Sequence, residues 1–347
     1  MLSYVYFKDG KFKLQDRSIP VMQAGEALLK VTACSICGTD IRTYRFGSTK
    51  IDDGRIIGHE VVGVISELSD GVSADFHVGD HIAVAPAIGC GVCYSCKSGH
   101  TNMCDDLKTI GYQYDGGFAE YMLIPAQAFK MGNVYKLPQV EDYTIYTLSE
   151  PLACAINAQS YLHIGKEDDV VIFGSGIVGC MHAELALHAG VKNVFIIEPS
   201  TERIREAAEL LEKVHFINSR ETDSVAEIRR MTNGKGADVA IIACSVGQAQ
   251  TDGMNLLAKR GRISLFGGLT GDSMCYIDSN LIHYREISVY GVHASTPEQN
   301  KQAMGMICRE EICVEKYISK RYDLNEIEQA FIDINGGKVM KAVIVNR

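Results

Sequence analysis

The sequence predicts an α/β protein of two domains, a β-rich first part followed by a doubly wound parallel sheet. Its 347 residues exceed one ordinary core and suit about two domains. Up to about residue 140 the chain consists of short strand patterns rich in valine and isoleucine, punctuated by glycine, with no long helical period. From about Glu150 apolar strands alternate with helical stretches, which is typical of a parallel sheet buried on both faces.

The individual elements follow from this periodicity. In the first part the predicted strands are 27–34, 56–68, 81–85 and 118–124. In the second part the predicted strands are 170–173, 194–197, 214–217, 239–243, 263–266 and 287–290, and the first two are followed by helices at 177–188 and 201–212. After about residue 296 we expect one helix and a closing strand at 341–345.

Composition narrows the possible partners. The net charge of -9 offers no general attraction to nucleic acid or to an anionic membrane. The most apolar stretch, 170–197, is interrupted by the three glycines of a turn motif and by His182, Glu184 and His188, so it makes a poor membrane span. The first residues show no charged leader followed by an apolar run. We therefore expect a cytoplasmic protein that acts on a small molecule.

A glycine-rich turn joins the strand at 170–173 to the helix that follows. The turn Gly174-Ser-Gly176-Ile-Val178-Gly179 has the G-x-G-x-x-G pattern in the strand–turn–helix context of a dinucleotide-binding Rossmann domain. The first glycine permits a tight turn, the second lets the backbone approach a pyrophosphate, and the third lets helix and strand pack closely. The helix N-terminus then offers N–H groups to the phosphates.

Glu198 ends the next strand and bears on the cofactor. It lies 19 residues after Gly179, close to the ~20 expected of the acid that binds the adenosine ribose. A carboxylate there accepts hydrogen bonds from both ribose hydroxyls and repels a 2′-phosphate, which favours NAD over NADP. Arg203 is an opposing signal, because a nearby arginine can hold a 2′-phosphate. The alternative, a glycine turn that binds nothing, does not account for a strand, a helix and an acid in register.

Four of the 12 cysteines are clustered, namely Cys90, Cys93, Cys96 and Cys104. Four thiolates complete the tetrahedral shell of a zinc ion and leave no open position, as in structural sites. An iron–sulfur cluster is the main alternative, because the first two spacings resemble those of ferredoxins. Cys104, however, is not followed by proline, and no second cysteine set occurs. We expect a structural zinc in the loop 88–106.

A second set of potential ligands is dispersed along the chain: Cys37, His59, Glu60 and Glu150. A cysteine, a histidine and one or two carboxylates can bind zinc while keeping a position open for water or substrate. Taken alone, a single cysteine is more often a core residue and a single histidine more often a structural one. Spacing by itself therefore leaves this second site undecided.

The order of the motifs resembles that of zinc-containing medium-chain dehydrogenases over nearly the whole chain. The motifs are Cys37-Gly-Thr-Asp, Gly58-His-Glu, the four-cysteine loop, Asp115-Gly-Gly-Phe-Ala-Glu-Tyr121, Glu150-Pro-Leu and the glycine turn. The resemblance is closest to the sorbitol (polyol) and threonine dehydrogenase branch, which has a carboxylate at the Glu150 position. It implies a GroES-like catalytic domain at 1–152, an NAD-binding Rossmann domain at 153–292, and a return of 293–347 to the catalytic domain.

The resemblance also implies roles for the dispersed residues. Cys37 and His59 would bind a catalytic zinc, with Glu150 as the third ligand directly or through water. Glu60 would be a ligand in some states and a supporting group in others, and Thr39 would receive the substrate proton. Two zinc ions per chain and NAD are then expected, with zinc as the Lewis acid and the nicotinamide as the hydride acceptor.

Two departures from the family pattern bear on the substrate. Arg42 stands where ethanol- and threonine-type enzymes have a relay histidine, and His293 lies where sorbitol dehydrogenases have an Arg-Tyr pair. We expect oxidation of a secondary alcohol of a polyol, polyol phosphate or sugar acid to a ketone, with Tyr44, Arg45 and His293 at the substrate. The basic loop around Arg45 is either a solvated surface or an anchor for a phosphate or carboxylate.

Two alternatives stay open from the sequence. One is an L-threonine 3-dehydrogenase, and the other, of a different class, is a non-catalytic NAD-binding protein stabilised by one zinc ion. A zinc content of about two per chain favours an enzyme over the second alternative. The apolar strand at 287–290 would be a liability as a bare sheet edge. The family resemblance implies that it pairs across a two-fold axis in a homodimer or homotetramer.

Overall fold

The computed structural model describes residues 1–269, 271 and 273–346, and their contacts form two compact units. The first unit holds Met1–Ala153 and the segment that begins at Ala294, and the second is Cys154–His293. Among the described residues no helix has both the length and the apolar character needed to cross a membrane.

The first unit begins with ten strands and three helices, and a fourth helix continues along the chain into the second unit. The strands are β1 (Leu2–Tyr6), β2 (Phe12–Asp16), β3 (Ala27–Ser35), β4 (Arg55–Ile56), β5 (Glu60–Leu68), β6 (His81–Val84), β7 (Ala87–Ile88), β8 (Lys108–Thr109), β9 (Tyr121–Ile124) and β10 (Val134–Lys136). The helices are α1 (Gly38–Phe46), α2 (Tyr94–Lys97), α3 (Ala126–Lys130) and α4 (Ser149–Ser160).

The remaining elements continue in chain order. The second unit contains β11 (Asp169–Phe173), α5 (Ile177–His188), β12 (Asn193–Glu198), α6 (Thr201–Leu210), β13 (Val214–Asn218), α7 (Ser224–Met231), β14 (Ala237–Ile242), α8 (Gly247–Leu256), β15 (Leu257–Leu265), α9 (Ser279–Arg285) and β16 (Ser288–Gly291). The returning segment of the first unit contains α10 (Pro297–Cys308), β17 (Lys320–Asp323), α11 (Ile327–Asn335) and β18 (Ala342–Val345).

The main sheet of the first unit has the order β10-β6-β5-β3-β18-β17, and β9 also pairs with β3. Its strands are rich in β-branched residues whose side chains, such as Val31, Val62 and Ile65, are fully buried. Burying each such side chain stabilises the fold by roughly 1.5–3 kcal/mol. The closing strand β18 lies antiparallel beside β3, which brings the end of the chain next to the segment that follows β3.

The first unit differs from the sequence prediction in several details, among them five strands that were not predicted: β1, β2, β7, β8 and β10. The predicted strand 56–68 is two strands, β4 and β5, because Gly58 adopts a φ of +94° that interrupts the extended chain. The region before residue 140, expected to lack long helices, contains the nine-residue helix α1, which begins where Asp40 accepts the backbone N–H of Cys37. The segment after residue 296, expected to hold one helix, contains α10, α11 and the additional strand β17.

The second unit is built on a six-stranded sheet of order β13-β12-β11-β14-β15-β16, in which every pairing is parallel. This confirms the predicted doubly wound parallel sheet. Every residue of β11 is buried, as expected for a central parallel strand. From β11 the sheet extends to one side through β12 and β13, and to the other side through β14, β15 and β16. The turn after β11 therefore lies at the topological switch point, where such sheets bind ligands.

Candidate metal centres and dinucleotide site

The pairing of β3 with β5 brings the dispersed ligands of the first unit together. The register sets Ser35 opposite Glu60. Cys37 follows Ser35 by two residues and His59 immediately precedes Glu60, so both side chains lie beside this pair. One ligand atom each from Cys37, His59 and Glu60 lies within 4.8 Å of the other two.

Asp40 supports two of these residues. One of its carboxylate oxygens accepts the N–H of Cys37 at 2.9 Å, and the other lies 3.7 Å from Nδ1 of His59. Burial opposes the charged form of His59, but the negative charges of Asp40 and Cys37 outweigh it and raise the pKa of the imidazole. Asp40 was not among the predicted site residues, although its place three residues after Cys37 in the motif was the available signal.

A buried lysine, Lys341, contacts the carboxylate of Glu60. One carboxylate oxygen accepts hydrogen bonds from Ser35 and from Nζ of Lys341, which also donates to the carbonyl of Ile36 at 3.0 Å. The other oxygen, Oε1, has no hydrogen-bond partner among the described residues. Lys341 was missed from the sequence. The signal was a charged residue at the start of an otherwise apolar strand pattern.

Thr39 and Glu150 take different positions around this set. The hydroxyl oxygen of Thr39 is buried and makes no well-formed hydrogen bond within the described part of the chain. Glu150 lies in the first turn of α4 and is not one of the three close ligands, but its charge contributes to the raised pKa of His59. The structure thus brings Glu60, rather than Glu150, into contact distance with Cys37 and His59.

The four clustered cysteines converge in space. Their ligand atoms lie within 4.8 Å of one another, and the Sγ–Sγ distances are 4.0 Å for Cys90–Cys96 and 3.9 Å for Cys93–Cys104. Backbone N–H groups point at the sulfurs, among them that of Cys96, which lowers the pKa of Cys93 to about 6. N–H donors of this kind stabilise thiolates, the form that binds a metal.

Both sets fit zinc by their chemistry. Four thiolates form a closed structural shell, whereas one sulfur, one imidazole and one carboxylate leave a coordination position open. The free Oε1 of Glu60 is a buried acceptor that needs a partner. A divalent cation beside Cys37, His59 and Glu60 would satisfy it.

The glycine turn of the second unit has the shape of a phosphate cradle. Gly174 has a φ of +103°, and a Cβ on Gly179 would lie 1.9 Å from the carbonyl oxygen of Gly174. A Cβ on Gly176 would meet no atom within 4 Å, so packing within the protein does not require a glycine there. Gly176 is also the N-cap residue of α5, and no side chain there hydrogen-bonds to the first turn of the helix. The backbone N–H groups near Val178 are therefore open to a ligand.

The acidic residue after β12 is fixed beside this turn. Glu198 is buried, and its carboxylate accepts the backbone N–H groups of Ser175 at 3.0 Å and of Ser200 at 3.1 Å. Arg203 is exposed in the first turn of α6. The predicted ribose-binding position therefore holds a preorganised carboxylate next to the phosphate cradle.

Two of the three predicted substrate residues, Tyr44 and Arg45, contact other elements of the first unit. The ring of Tyr44 packs against those of Phe12 and Phe331, at centroid distances of 5.5 and 5.2 Å. The guanidinium of Arg45 donates to the side chain and carbonyl of Asn335 at the end of α11. His293 is exposed and ends the second unit.

Comparison with known proteins agrees with this geometry. Residues 23–139 match the alcohol dehydrogenase GroES-like domain, and residues 178–309 match the zinc-binding dehydrogenase domain. The chain is 32% identical to L-threonine 3-dehydrogenase of Pyrococcus furiosus over 339 residues, 96% of this chain and 94% of that one. It is 28% identical to sorbitol dehydrogenase of Halalkalibacterium halodurans over 337 residues, 96% of each.

One solved structure is similar to this chain over nearly its whole length. A zinc-binding dehydrogenase of Sinorhizobium meliloti 1021, solved with NADP, superposes with a TM-score of 0.91 at 26% identity and covers 99% of both chains. A GroES-like unit, a parallel-sheet unit and two metal-ligand sets define a zinc-type alcohol dehydrogenase. The chain belongs to the zinc-containing medium-chain dehydrogenase family, in the branch of the threonine and sorbitol dehydrogenases. The predicted family, fold class and oxidoreductase activity are thereby confirmed.

Proposed function

We propose that this enzyme oxidises a secondary alcohol of a polyol or a related compound to a ketone, with zinc and NAD. The observation that carries the proposal is the convergence of Cys37, His59 and Glu60 within 4.8 Å, a ligand set with room for a substrate hydroxyl. In the overall reaction the carbinol carbon loses a hydride to NAD and the hydroxyl loses a proton. The products are the ketone, NADH and a proton.

The chain's own residues prepare the site for this chemistry. Bound zinc supplies a Lewis acid that lowers the pKa of a hydroxyl, and bound NAD supplies the hydride acceptor. Asp40 orients the His59 ring and the backbone of Cys37. The buried Thr39 hydroxyl, which lacks a hydrogen-bond partner among the described residues, can accept the substrate proton while it passes its own proton to water.

The cofactor proposal rests on Glu198. A carboxylate held by two backbone N–H groups beside the glycine cradle is suited to binding the two ribose hydroxyls and repels a 2′-phosphate. The Sinorhizobium meliloti relative was solved with NADP, so the preference is specific to each chain. Replacing Glu198 with glutamine should reduce the ratio of kcat/KM for NAD over NADP by about tenfold or more.

A second candidate is L-threonine 3-dehydrogenase, favoured by the 32% identity with the Pyrococcus furiosus enzyme. Arg42, at the position of the relay histidine in threonine-type enzymes, favours the polyol instead. Both substrates carry a secondary hydroxyl next to another polar group. Rates of NAD reduction with free polyols, polyol phosphates, sugar acids, inositols and L-threonine separate the two.

Variants of two cysteines test the proposed catalytic zinc site, one as the test and the other as its control. Cys37→Ser should abolish turnover and lower the zinc content from about two to about one per chain. Cys313→Ser, an exposed cysteine outside both ligand sets, should change neither. Full activity of Cys37→Ser with one zinc ion lost would refute the proposal. A wild-type content of one zinc ion with no turnover on any alcohol would favour the non-catalytic alternative.

The substrate anchor is tested separately. If Arg45 holds a phosphate, Arg45→Ala should raise KM for a polyol phosphate far more than KM for the free polyol. Equal effects on both would assign Arg45 the structural role that its bonds to Asn335 suggest. We further propose a homodimer or homotetramer paired through the edge strand β16, which light scattering of the purified protein tests directly.

A further inference from the structure

Tyr112 lies on a loop that is fastened to the catalytic segment. The N–H of Tyr112 donates to the carbonyl of Thr109 at 3.1 Å, and the N–H of Gly111 donates to that of Tyr114 at 2.9 Å. A Cβ on Gly111 would lie 3.1 Å from the carbonyl oxygen of Gly58, so this loop packs closely on the backbone that precedes His59. The position of Tyr112 is therefore set by the same segment that sets His59.

The side chain of Tyr112 faces the metal-ligand set. Its ring is partly buried against the core of the first unit, and its centroid lies 6.1 Å from that of His59. Burial raises the pKa of Tyr112, while the charge of His59 and an interaction of its hydroxyl with that of Thr39 offset part of the rise. The hydroxyls of Tyr112 and Thr39 therefore lie near each other, beside His59.

The Thr39 hydroxyl beside Tyr112 is unsatisfied in a way that points to a ligand. The Thr39 oxygen is buried and has no hydrogen-bond partner among the described residues. Buried polar atoms are normally satisfied, so an exception needs a physical reason. A phenylalanine would pack against His59 equally well, and a buried hydroxyl costs free energy unless it has a partner. Two adjacent hydroxyls match two adjacent polar groups of a substrate.

We propose that Tyr112 is a specificity-determining residue whose hydroxyl binds the polar substituent on the carbon next to the reacting carbinol. Thr39 then serves the reacting hydroxyl and Tyr112 serves its neighbour. The enzyme selects vicinal diols and vicinal amino alcohols over simple secondary alcohols. This inference rests on the proposed function and narrows its substrate class.

A matched pair of substrates isolates this contact. 2,3-Butanediol and 2-butanol differ by one vicinal hydroxyl. Tyr112→Phe should lower kcat/KM for 2,3-butanediol by about 10–100-fold, the range for one lost hydrogen bond to a buried polar group. The same variant should change kcat/KM for 2-butanol by less than about threefold. Tyr114→Phe, two residues along the same loop, should leave both values unchanged.

The outcomes separate this inference from the proposed function. Equal losses on both alcohols, or no loss on either, would overturn the role of Tyr112 even if the enzyme is an alcohol dehydrogenase. If the wild type oxidises neither of these two alcohols, the inference is tested by binding, and the proposed function fails only if no alcohol of the wider panel is oxidised either. Calorimetry in the presence of zinc and NADH should then show tighter binding of the diol than of 2-butanol, and Tyr112→Phe should remove the difference. An unchanged difference would overturn the inference.

Discussion

Replacing Lys341 with methionine tests whether the buried ion pair behind the metal ligands stabilises the first unit. Lys341 is 1% exposed, and its ammonium group contacts the Glu60 carboxylate and the carbonyl of Ile36. Burial opposes its charged form, but the charge of Glu60 outweighs that effect, and the pKa of Lys341 is raised. Methionine keeps an apolar stem of similar length and leaves Glu60 as a buried charge without its cation.

The expected loss of stability follows from the burial of the Lys341–Glu60 pair. Removing one partner of a buried ion pair costs about 3–5 kcal/mol, because the remaining charge stays desolvated. Lys136 and Asp80 form the matched control, an ion pair of 2.6 Å whose side chains are 42% and 23% exposed. Lys136→Met should cost at most about 1 kcal/mol. The free energies of unfolding of the two variants should therefore differ by roughly 3 kcal/mol.

The assay is urea unfolding of chelator-treated protein, followed by circular dichroism and tyrosine fluorescence because the chain contains no tryptophan. The double variant Glu60→Gln/Lys341→Met should recover most of the loss, since it leaves no uncompensated charge. Added zinc should reduce the loss in Lys341→Met, because it provides a second cation near Glu60. A loss below about 1 kcal/mol, or a double variant with the sum of the single losses, would refute this reasoning.

Three further predictions concern other parts of the chain. Gly179→Ala should lower the thermal midpoint and weaken NADH binding by about tenfold or more, because its Cβ would lie 1.9 Å from a carbonyl oxygen, whereas Gly176→Ala should weaken binding alone. Cys96→Ser should remove one zinc ion, measured by mass spectrometry, and lower the thermal midpoint. Burial lowers the pKa of His182 from 6.5 to about 3, so only the unfolded chain takes up this proton between those values. The free energy of unfolding therefore has its full value above pH 6.5 and falls by about 1.4 kcal/mol per pH unit as the pH drops toward 3. The variant His182→Leu should reduce this slope.

A different result would contradict each of these three predictions. Equal thermal midpoints for Gly176→Ala and Gly179→Ala would contradict the packing argument for the third glycine. Cys96→Ser with two zinc ions would contradict the closed four-thiolate shell. For the pH effect, His188→Leu is the control, because His188 is exposed on the same helix. If both histidine variants show the wild-type slope below pH 6.5, the buried neutral state of His182 is wrong.

Local motifs were readable because their function depends on residues close in sequence. The four cysteines span one short loop, so their spacing alone limits how their sulfurs can meet, and the described structure brings them together. The glycine turn is also local, since its chemistry depends on backbone conformations between a strand and a helix. The parallel sheet followed from the alternation of apolar strands and helices. The helix α1 was missed because its nine residues have no strong apolar period.

The fold class, the thiolate cluster and the dinucleotide turn could thus be predicted from the sequence, since each depends on a short-range pattern. Which dispersed residues share a site became clear only from the pairing of the strands. The pairing of Ser35 with Glu60 in the β3–β5 register brings Cys37 beside His59. Lys341 reaches Glu60 across 281 residues because β18 pairs with β3. No spacing rule encodes such contacts, because strand register is set by the packing of the whole sheet.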